Sequence, residues 1–383
     1  MKKCILICFA IFISLLTHAQ ATDLVVDCQT PGWLSSMINY GDQKTLEALK
    51  VKGYINADDL KFIGNLINNY SLKGCIDISE VEIVASNNNK ANTLKENCFG
   101  INGYVEVRVV KFPNSITSAE NILGDGLYID SLCWNVNNVN GNVFHGIAGG
   151  NKTICNNLIL GENVTIIDEL AFENQFKLKN VYFPKSLTYI GERAFDGTEM
   201  KYANIEDCDK LVYIGEYAFG NKRSPEVAPF AMDTLIIPKS LVEFNTTAFN
   251  YKNHEHIFIS AGTTILSSGY LGTGTWDKWT HNEYMPDTLF FHMESKTPPT
   301  RSFTMKSNYV VYVPKGAKME YMNNNAWKNA KIIEVDVEDA TAICDFKYKE
   351  SEVGEVRDLI GNKVKTMKNG QLYIRNGRKF IGR

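Results

Sequence analysis

The ten residues SLTYIGERAF (Ser186–Phe195) return 24 positions later as KLVYIGEYAF (Lys210–Phe219), with seven of ten letters identical. Two more windows, NVTIIDELAF (Asn163–Phe172) and SLVEFNTTAF (Ser240–Phe249), end in the same Ala-Phe pair. A weaker copy, TLKENCF, ends at Phe99 with a cysteine in the alanine position. Recurrence at a near-constant period indicates a repeat protein, in which stacked units bury a core that no unit could bury alone.

A short apolar segment precedes each window, at 158–160, 181–183, 203–205 and 235–237. Pro184 and Pro238 follow two of these segments, and a proline ends a strand because it cannot donate to the sheet. Similar segments occur at 110–112, 257–259, 289–291 and 311–313. We therefore predict a mainly β solenoid of parallel strands, with the phenylalanines stacked in one column. Between Phe112 and Leu158 the pattern fails, which predicts degenerate coils or a protruding loop.

These residues resemble the BspA-type leucine-rich repeats of bacterial surface proteins, most closely in LKNVYFPKSLTYIGERAF (178–195) and DCDKLVYIGEYAF (207–219). The resemblance is clearest over 155–250 and looser elsewhere within 81–335. It implies a leucine-rich-repeat solenoid over 81–335, and adhesion to host proteins or other cells for some members. Within each coil we expect Gly191 and Gly215 to allow a chain turn, because glycine tolerates unusual backbone angles.

The two ends of the chain do not follow the repeat. Residues 1–19 combine two lysines, a short apolar run and a small-residue ending, which is typical of a secretory signal peptide. Residues 20–80 predict a small α/β capping region, with helices at 30–39 and 56–70 around a strand at 46–55. Residues 336–383 predict a short C-terminal β module. It resembles the ending of proteins sorted by the type IX secretion system, and a β module without a sorting role is the alternative.

Composition and motifs argue against several classes of function. The net charge of −3 is unsuited to nucleic-acid binding, which requires a basic surface. The seven cysteines after residue 19 are odd in number and widely spaced, so we expect mostly buried thiols. His254 and His256 form a pair without a third metal ligand. We predict no catalytic residue, no metal and no cofactor, and no transmembrane segment after signal cleavage.

The candidate binding residues come from strand alternation, since the residue between two buried ones faces outward. These middle residues are Lys111, Ile159, Tyr182, Asn204, Ile236, Phe258, Phe290 and Tyr312, and six of the eight are aliphatic or aromatic. We predict a binding face that includes Tyr182, Ile236, Phe258 and Tyr312, with Tyr189 and Tyr213 in a second outward row. The alternatives are that an insertion covers these positions, or that apolar residues there only favour strand formation.

Three functions remain open from the sequence. The preferred hypothesis is an exported or cell-surface, non-catalytic protein that binds a protein or glycan at the cell exterior. The second is a carbohydrate-binding or carbohydrate-active protein that uses Trp276 and Trp279. The third is a structural surface protein without a specific ligand.

Overall fold

The computed structural model describes residues 22–381 with gaps at 87–88, 124–125, 142, 145–154, 199, 201, 221–233, 246–247, 249–255, 268–274, 277–282, 285–289, 302–306, 337–355, 358–371 and 376–377. The predicted signal peptide lies outside the described residues.

Strands are the commonest regular elements of the described chain. In chain order, the first nine are β1 (Thr22–Cys28), β2 (Leu46–Ile55), β3 (Cys75–Ile83), β4 (Thr93–Leu94), β5 (Val105–Lys111), β6 (Ser118–Ala119), β7 (Leu127–Trp134), β8 (Asn138–Val139) and β9 (Cys155–Leu160). The next nine are β10 (Ile166–Ile167), β11 (Asn180–Tyr182), β12 (Tyr189–Ile190), β13 (Tyr202–Ala203), β14 (Tyr213–Ile214), β15 (Thr234–Ile236), β16 (Glu243–Asn245), β17 (His256–Ile259) and β18 (Ile265–Ser267).

The remaining strands are β19 (Thr275–Trp276), β20 (Glu283–Tyr284), β21 (Phe290–Met293), β22 (Thr300–Arg301), β23 (Val310–Pro314), β24 (Lys331–Val335), β25 (Val356–Arg357), β26 (Leu372–Arg375) and β27 (Arg378–Ile381). The helices are α1 (Leu34–Met37), α2 (Tyr40–Gln43), α3 (Ala57–Asn69) and α4 (Lys318–Asn323), with a short 3₁₀ turn at Ile205–Asp207.

Parallel strands stack along the chain, and the predicted solenoid is confirmed. The first sheet has eight strands in the order β1-β2-β3-β5-β7-β9-β11-β13, and a second has five in the order β15-β17-β21-β23-β24. All eight apolar segments named from the sequence lie in or directly beside strands of these two sheets. The first sheet is continuous across residue 81, which lies inside β3, and it also includes β1, which the sequence did not predict.

Each coil returns through a second short strand. These form a parallel sheet in the order β14-β12-β10-β8 and another in the order β16-β18-β22. The return path is also joined between coils by backbone hydrogen bonds, including Phe172 N to Ala194 O and Phe195 N to Ala218 O, each 2.7 Å. Both sides of a coil therefore pair with the next one.

The Ala-Phe pairs form the predicted column. The rings of Phe172, Phe195 and Phe219 stack in order, with centroids 5.2 and 5.5 Å apart and planes within 10°. The column continues toward the N-terminus through Phe144, Trp134, Phe112 and Phe99. Val139 and Ile167 are register partners in neighbouring coils. Phe144 lies five residues after Val139, and Phe172 likewise lies five residues after Ile167. The segment around 127–144 is therefore a degenerate coil, one of the two predicted outcomes.

The chain turns directly after each repeat glycine, as predicted, with Ala194 N donating to Gly191 O and Ala218 N to Gly215 O. The need for glycine comes from close approach between coils and not from an unusual backbone angle. Neither Gly191 nor Gly215 has a positive φ. A Cβ on Gly191 would lie 2.4 Å from Glu169 N, and one on Gly215 would lie 2.4 Å from Glu192 N. The strained backbone angle instead occurs just before each alanine, at Leu170 (φ 60°), Arg193 (51°) and Tyr217 (53°), where a side chain costs of order 1 kcal/mol.

The N-terminal cap closes one end of the core. The predicted second helix is present as α3, with Asn56 and Asp59 forming a capping box. Of the first predicted helix, 30–39, only Leu34–Met37 is helical, as α1, and α2 begins just after the predicted bounds at Tyr40. The buried Asp59 carboxylate accepts hydrogen bonds from Gly32 N (2.6 Å), Leu34 N (3.0 Å) and Asn56 N (3.0 Å), so it joins α3 to the segment that begins α1.

At the other end, β25, β26 and β27 form an antiparallel sheet, in agreement with the predicted C-terminal β module. Among the described cysteines no disulfide bond is present, and Cys28, Cys155 and Cys208 are buried. Burial raises the thiol pKa of Cys155 and Cys208 above the ordinary value, as expected for small apolar side chains in a core.

Candidate binding surfaces

The first predicted site residue, Tyr182, does not lie on an open surface. Its neighbours Val181 and Phe183 point into the main core, so Tyr182 lies on the other side of its strand. It is nevertheless only 2% exposed, and its register partner Ile159 is also buried. Burial raises the pKa of the Tyr182 hydroxyl. The expectation that this part of the strand face is exposed is therefore wrong for Tyr182.

Three other predicted residues do come together. Ile236, Phe258 and Tyr312 lie in one row across the five-stranded sheet, and His292 occupies the place between Phe258 and Tyr312. The His292 ring stacks on both neighbours, at 4.1 Å from Phe258 and 4.9 Å from Tyr312. Ile333 pairs with Tyr312 and ends the row. We call Ile236, Phe258, His292, Tyr312 and Ile333 the aromatic row.

The sequence predicted that Phe290 faces outward on β21, and the structure agrees, since its ring stacks on Tyr312 at 6.3 Å. It does not, however, align with Phe258. Strand β21 begins at Phe290 and pairs Phe291, not Phe290, with the inward-facing Ile257 and Val311. The outward partner of Phe258 is consequently His292. Although it belongs to the outward row, His292 is only 2% exposed, whereas Phe258 and Tyr312 are half-buried. The aromatic row is therefore tightly packed and offers little open area at its centre.

A more exposed surface lies on the return sheets. Tyr189 and Tyr213 are register partners on β12 and β14, and their rings stack at 4.8 Å with planes 9° apart. Val212 precedes Tyr213, and Val242 follows on the next coil, where its carbonyl accepts hydrogen bonds from Thr264 N and Ile265 N. We call Tyr189, Val212, Tyr213, Val242 and Ile265 the tyrosine stripe. Its members are between 36% and 63% exposed.

The repeat itself explains why this stripe forms. The position directly before the buried residue of each coil faces outward, and it holds Tyr189, Tyr213 and, beyond Glu243 in the coil between, Ile265. Val212 and Val242 lie one residue earlier in their coils, and stacking brings equivalent positions within about 4.8 Å of each other. The sequence identified Tyr189 and Tyr213 in this row. It missed Val212, Val242 and Ile265, although Val212 and Val242 share one position, two residues before the fifth residue of their windows, that could have indicated them.

Carboxylates border the stripe. Glu169, Glu192 and Glu216 occupy the same place in three consecutive windows, two residues before each Ala. Burial, the neighbouring Tyr213, and the carboxylates of Asp168, Glu169 and Glu192 together raise the pKa of Tyr189 above its ordinary value. This rim is therefore close enough to act electrostatically on the stripe.

The carbohydrate hypothesis gains no geometric support. Trp276 lies in β19, which pairs antiparallel with β20 at Glu283, but nothing is described of its side chain. Trp279 and His254 lie outside the described residues. Within the described ranges no group of three or more His, Cys, Asp or Glu is arranged to hold a metal ion.

A cavity of about 370 Å³ lies between the start of α3 and the first weak repeat, and it is lined by Lys61, Lys95, Asp58, Glu96 and Cys98 among others. Burial raises the pKa of the Cys98 thiol to about 12. Only the thiolate is a good nucleophile, and the raised pKa disfavours it at neutral pH.

Comparison with known families agrees with the geometry. Residues 150–272 match the BspA type leucine rich repeat region, in six copies. No curated protein matches the chain. Of the helices that the structure describes, none has the length and apolar character needed to cross a membrane. The stacked coils with their Ala-Phe column, together with this match, identify residues 150–272 as BspA-type leucine-rich repeats.

Proposed function

We propose that this chain is an exported, non-catalytic repeat protein that binds a protein partner through the tyrosine stripe. The observation that carries the proposal is the exposure of five apolar or aromatic side chains in adjacent coils. Contiguous exposed apolar surface is uncommon on soluble proteins and marks contact sites. Tyrosine suits such a site because it offers a large contact area at low cost in side-chain entropy.

The rigidity of the support favours binding through this stripe. Tyr189 and Tyr213 are preceded and followed by backbone hydrogen bonds to adjacent coils, such as Val212 N to Thr188 O at 2.9 Å and Gly215 N to Ile190 O at 2.8 Å. The two rings also hold each other in place by stacking. A surface that is already ordered loses little conformational entropy on binding.

The proposed location rests on the sequence. Residues 1–19 have the pattern of a signal peptide, and repeats of the matched type are typical of surface proteins. Residues 336–383 would then act in sorting or surface attachment, as their resemblance implies. Fusing residues 336–383 to an exported reporter tests this role, because a reporter that stays in the periplasm would contradict it.

A binding experiment tests the stripe. The chain without residues 1–19 is applied to immobilised extracellular-matrix proteins and mucin glycans, and compared with the double variant V212S/Y213S. The matched control is V25S/Y104S, since Val25 and Tyr104 are 65% and 68% exposed far from the stripe in sequence. We expect V212S/Y213S alone to lose retention on a protein ligand by about tenfold or more, as for a small hot spot. Equal retention of all three proteins would contradict the proposal, and retention on glycans alone would favour the carbohydrate hypothesis.

A further inference from the structure

The tyrosine stripe carries information about the charge of its partner. Three glutamates, Glu169, Glu192 and Glu216, recur beside it at one position of successive coils, so their carboxylates lie about one strand spacing apart. These glutamates follow the outward Tyr position by three residues in their coils, and Glu169 and Glu192 act electrostatically on Tyr189, so they lie within reach of a segment that covers Tyr189 and Tyr213.

Few cations oppose these carboxylates. Arg193 Nε lies 3.7 Å from Glu192 Oε1, and its guanidinium also lies 5.8 Å from the centre of the Tyr217 ring. Such an exposed pair contributes little. Among the residues that the structure describes, no ion pair involves Glu169 or Glu216. These two carboxylates therefore keep their charge, so the edge of the stripe that they form has a negative potential, whereas the exposed Lys185, Lys210 and Lys239 stand at the start of the windows.

That potential selects among the possible occupants of the stripe. A second copy of this chain would bring the same carboxylates to the interface, and an anionic lipid surface or nucleic acid would be repelled. An apolar segment that carries Lys or Arg would satisfy both the aromatic surface and the rim. Complementary charge at an interface rim steers association and excludes partners of like charge.

We propose that the tyrosine stripe docks a basic polypeptide segment, in which apolar side chains cover Tyr189 and Tyr213 while Lys or Arg side chains reach the glutamate column. This inference rests on the proposed function and adds the chemistry of the partner. Glu169, Glu192 and Glu216 are the residues that determine this specificity.

Three twelve-residue peptides test the inference. They alternate leucine with lysine, glutamine or glutamate, and their affinity for the chain without residues 1–19 is measured at 50 and 300 mM NaCl. We expect the lysine peptide to bind at least tenfold more tightly than the glutamine peptide at low salt, and the difference to shrink at high salt because the Debye length falls. The glutamate peptide is expected to bind least.

Two sets of substitutions separate a specific rim from the overall negative charge. The variant E169Q/E192Q/E216Q removes the column, and E82Q/E120Q/E162Q removes three exposed carboxylates elsewhere with the same change in net charge. We expect only the first to lower the affinity for the lysine peptide, by about tenfold. Equal losses in both variants, or no binding of the lysine peptide, would overturn the inference.

The variant V212S/Y213S distinguishes this inference from the proposed function. It keeps every carboxylate, so it should lose the lysine and glutamine peptides alike if the stripe is the docking surface. If it loses the glutamine peptide while E169Q/E192Q/E216Q leaves the lysine peptide unchanged, the stripe binds but the partner is not selected by charge. Unchanged lysine-peptide binding in V212S/Y213S would refute docking of this segment on the stripe.

Discussion

Coupling between neighbouring phenylalanines is the sharpest test of the stacked column. Phe195 is fully buried and stacks on Phe172 at 5.2 Å and on Phe219 at 5.5 Å. Replacing Phe195 with leucine keeps most of the apolar volume, which limits the packing cost to about 1–1.5 kcal/mol. Phe183 also meets the Phe195 ring edge-on at 5.6 Å, so three ring pairs are lost, and each adds about 0.5–1.5 kcal/mol. We therefore expect F195L to lower the free energy of unfolding by about 2.5–6 kcal/mol.

A double-mutant cycle isolates the stacking. F172L and F195L remove one shared ring contact, so we expect a coupling free energy of about 0.5–1.5 kcal/mol. The control cycle pairs F195L with F112L, because Trp134, Phe144 and Phe172 separate these two rings in the column. Distant sites without shared partners add to within about 0.5 kcal/mol.

Urea unfolding followed by circular dichroism supplies the free energies, provided that the transition is a single cooperative step. Hydrogen exchange at the amides of Phe172 and Phe195 reports the same coil locally, because both donate to the next coil at 2.7 Å. A Phe172–Phe195 coupling no larger than the Phe112–Phe195 coupling would refute a column in which adjacent coils stabilise each other through their rings.

Three further predictions concern the cap and the thiols. G64A should destabilise the chain by about 2 kcal/mol or more, because a Cβ there would lie 1.5 Å from Phe99 O, whereas G41A at an exposed helical glycine should be neutral or slightly stabilising in the same urea titration. D59A should lower the unfolding free energy by about 2–4 kcal/mol because three backbone N–H groups lose their acceptor, whereas the exposed Asp58 tolerates D58A with a loss below about 1 kcal/mol; similar losses in both would contradict the role of Asp59. Burial raises the thiol pKa of Cys98 to about 12, above its ordinary 9.0, so the folded form keeps the proton to a higher pH than the unfolded form. The free energy of unfolding should therefore fall as the pH rises from about 9 toward 12, and C98A should reduce this pH dependence. Rapid labelling of native Cys98 by iodoacetamide at pH 8 would contradict the raised pKa.

Much of the architecture could be predicted because the repeat reports it locally. Each window has an alanine and a phenylalanine at fixed offsets from a buried Ile. The alanine fits where the space between coils is narrow and the phenylalanine where it is wide, so their spacing already implies the column of Phe172, Phe195 and Phe219. The coil ending at Phe144 was harder to recognise, since its window VNGNVF keeps only the final phenylalanine. Strand β1 was missed because its apolar run is only three residues long and lies between Asp23 and Asp27, and pairing with β2 makes it a strand.

The candidate site was predictable only in part. Alternation correctly placed Ile236, Phe258 and Tyr312 in one outward row. It could not reveal that β21 aligns His292, and not Phe290, with that row, because register depends on the neighbouring strands. Side-chain exposure could not be predicted from the sequence either. Tyr182 and Tyr189 each lie next to a buried residue in a strand, yet Tyr182 is buried and Tyr189 is exposed.

The sequence by itself determined the length of the coil, the identity of its core residues and the stacking of one coil on the next. These follow from local requirements for volume and backbone pairing that recur in every unit. Only the tertiary structure decided which outward residues meet solvent, since exposure depends on what other parts of the chain cover. It also brought Tyr189, Val212, Tyr213, Val242 and Ile265 from three windows and the following coil into one surface, because contacts between coils join residues that are distant along the chain.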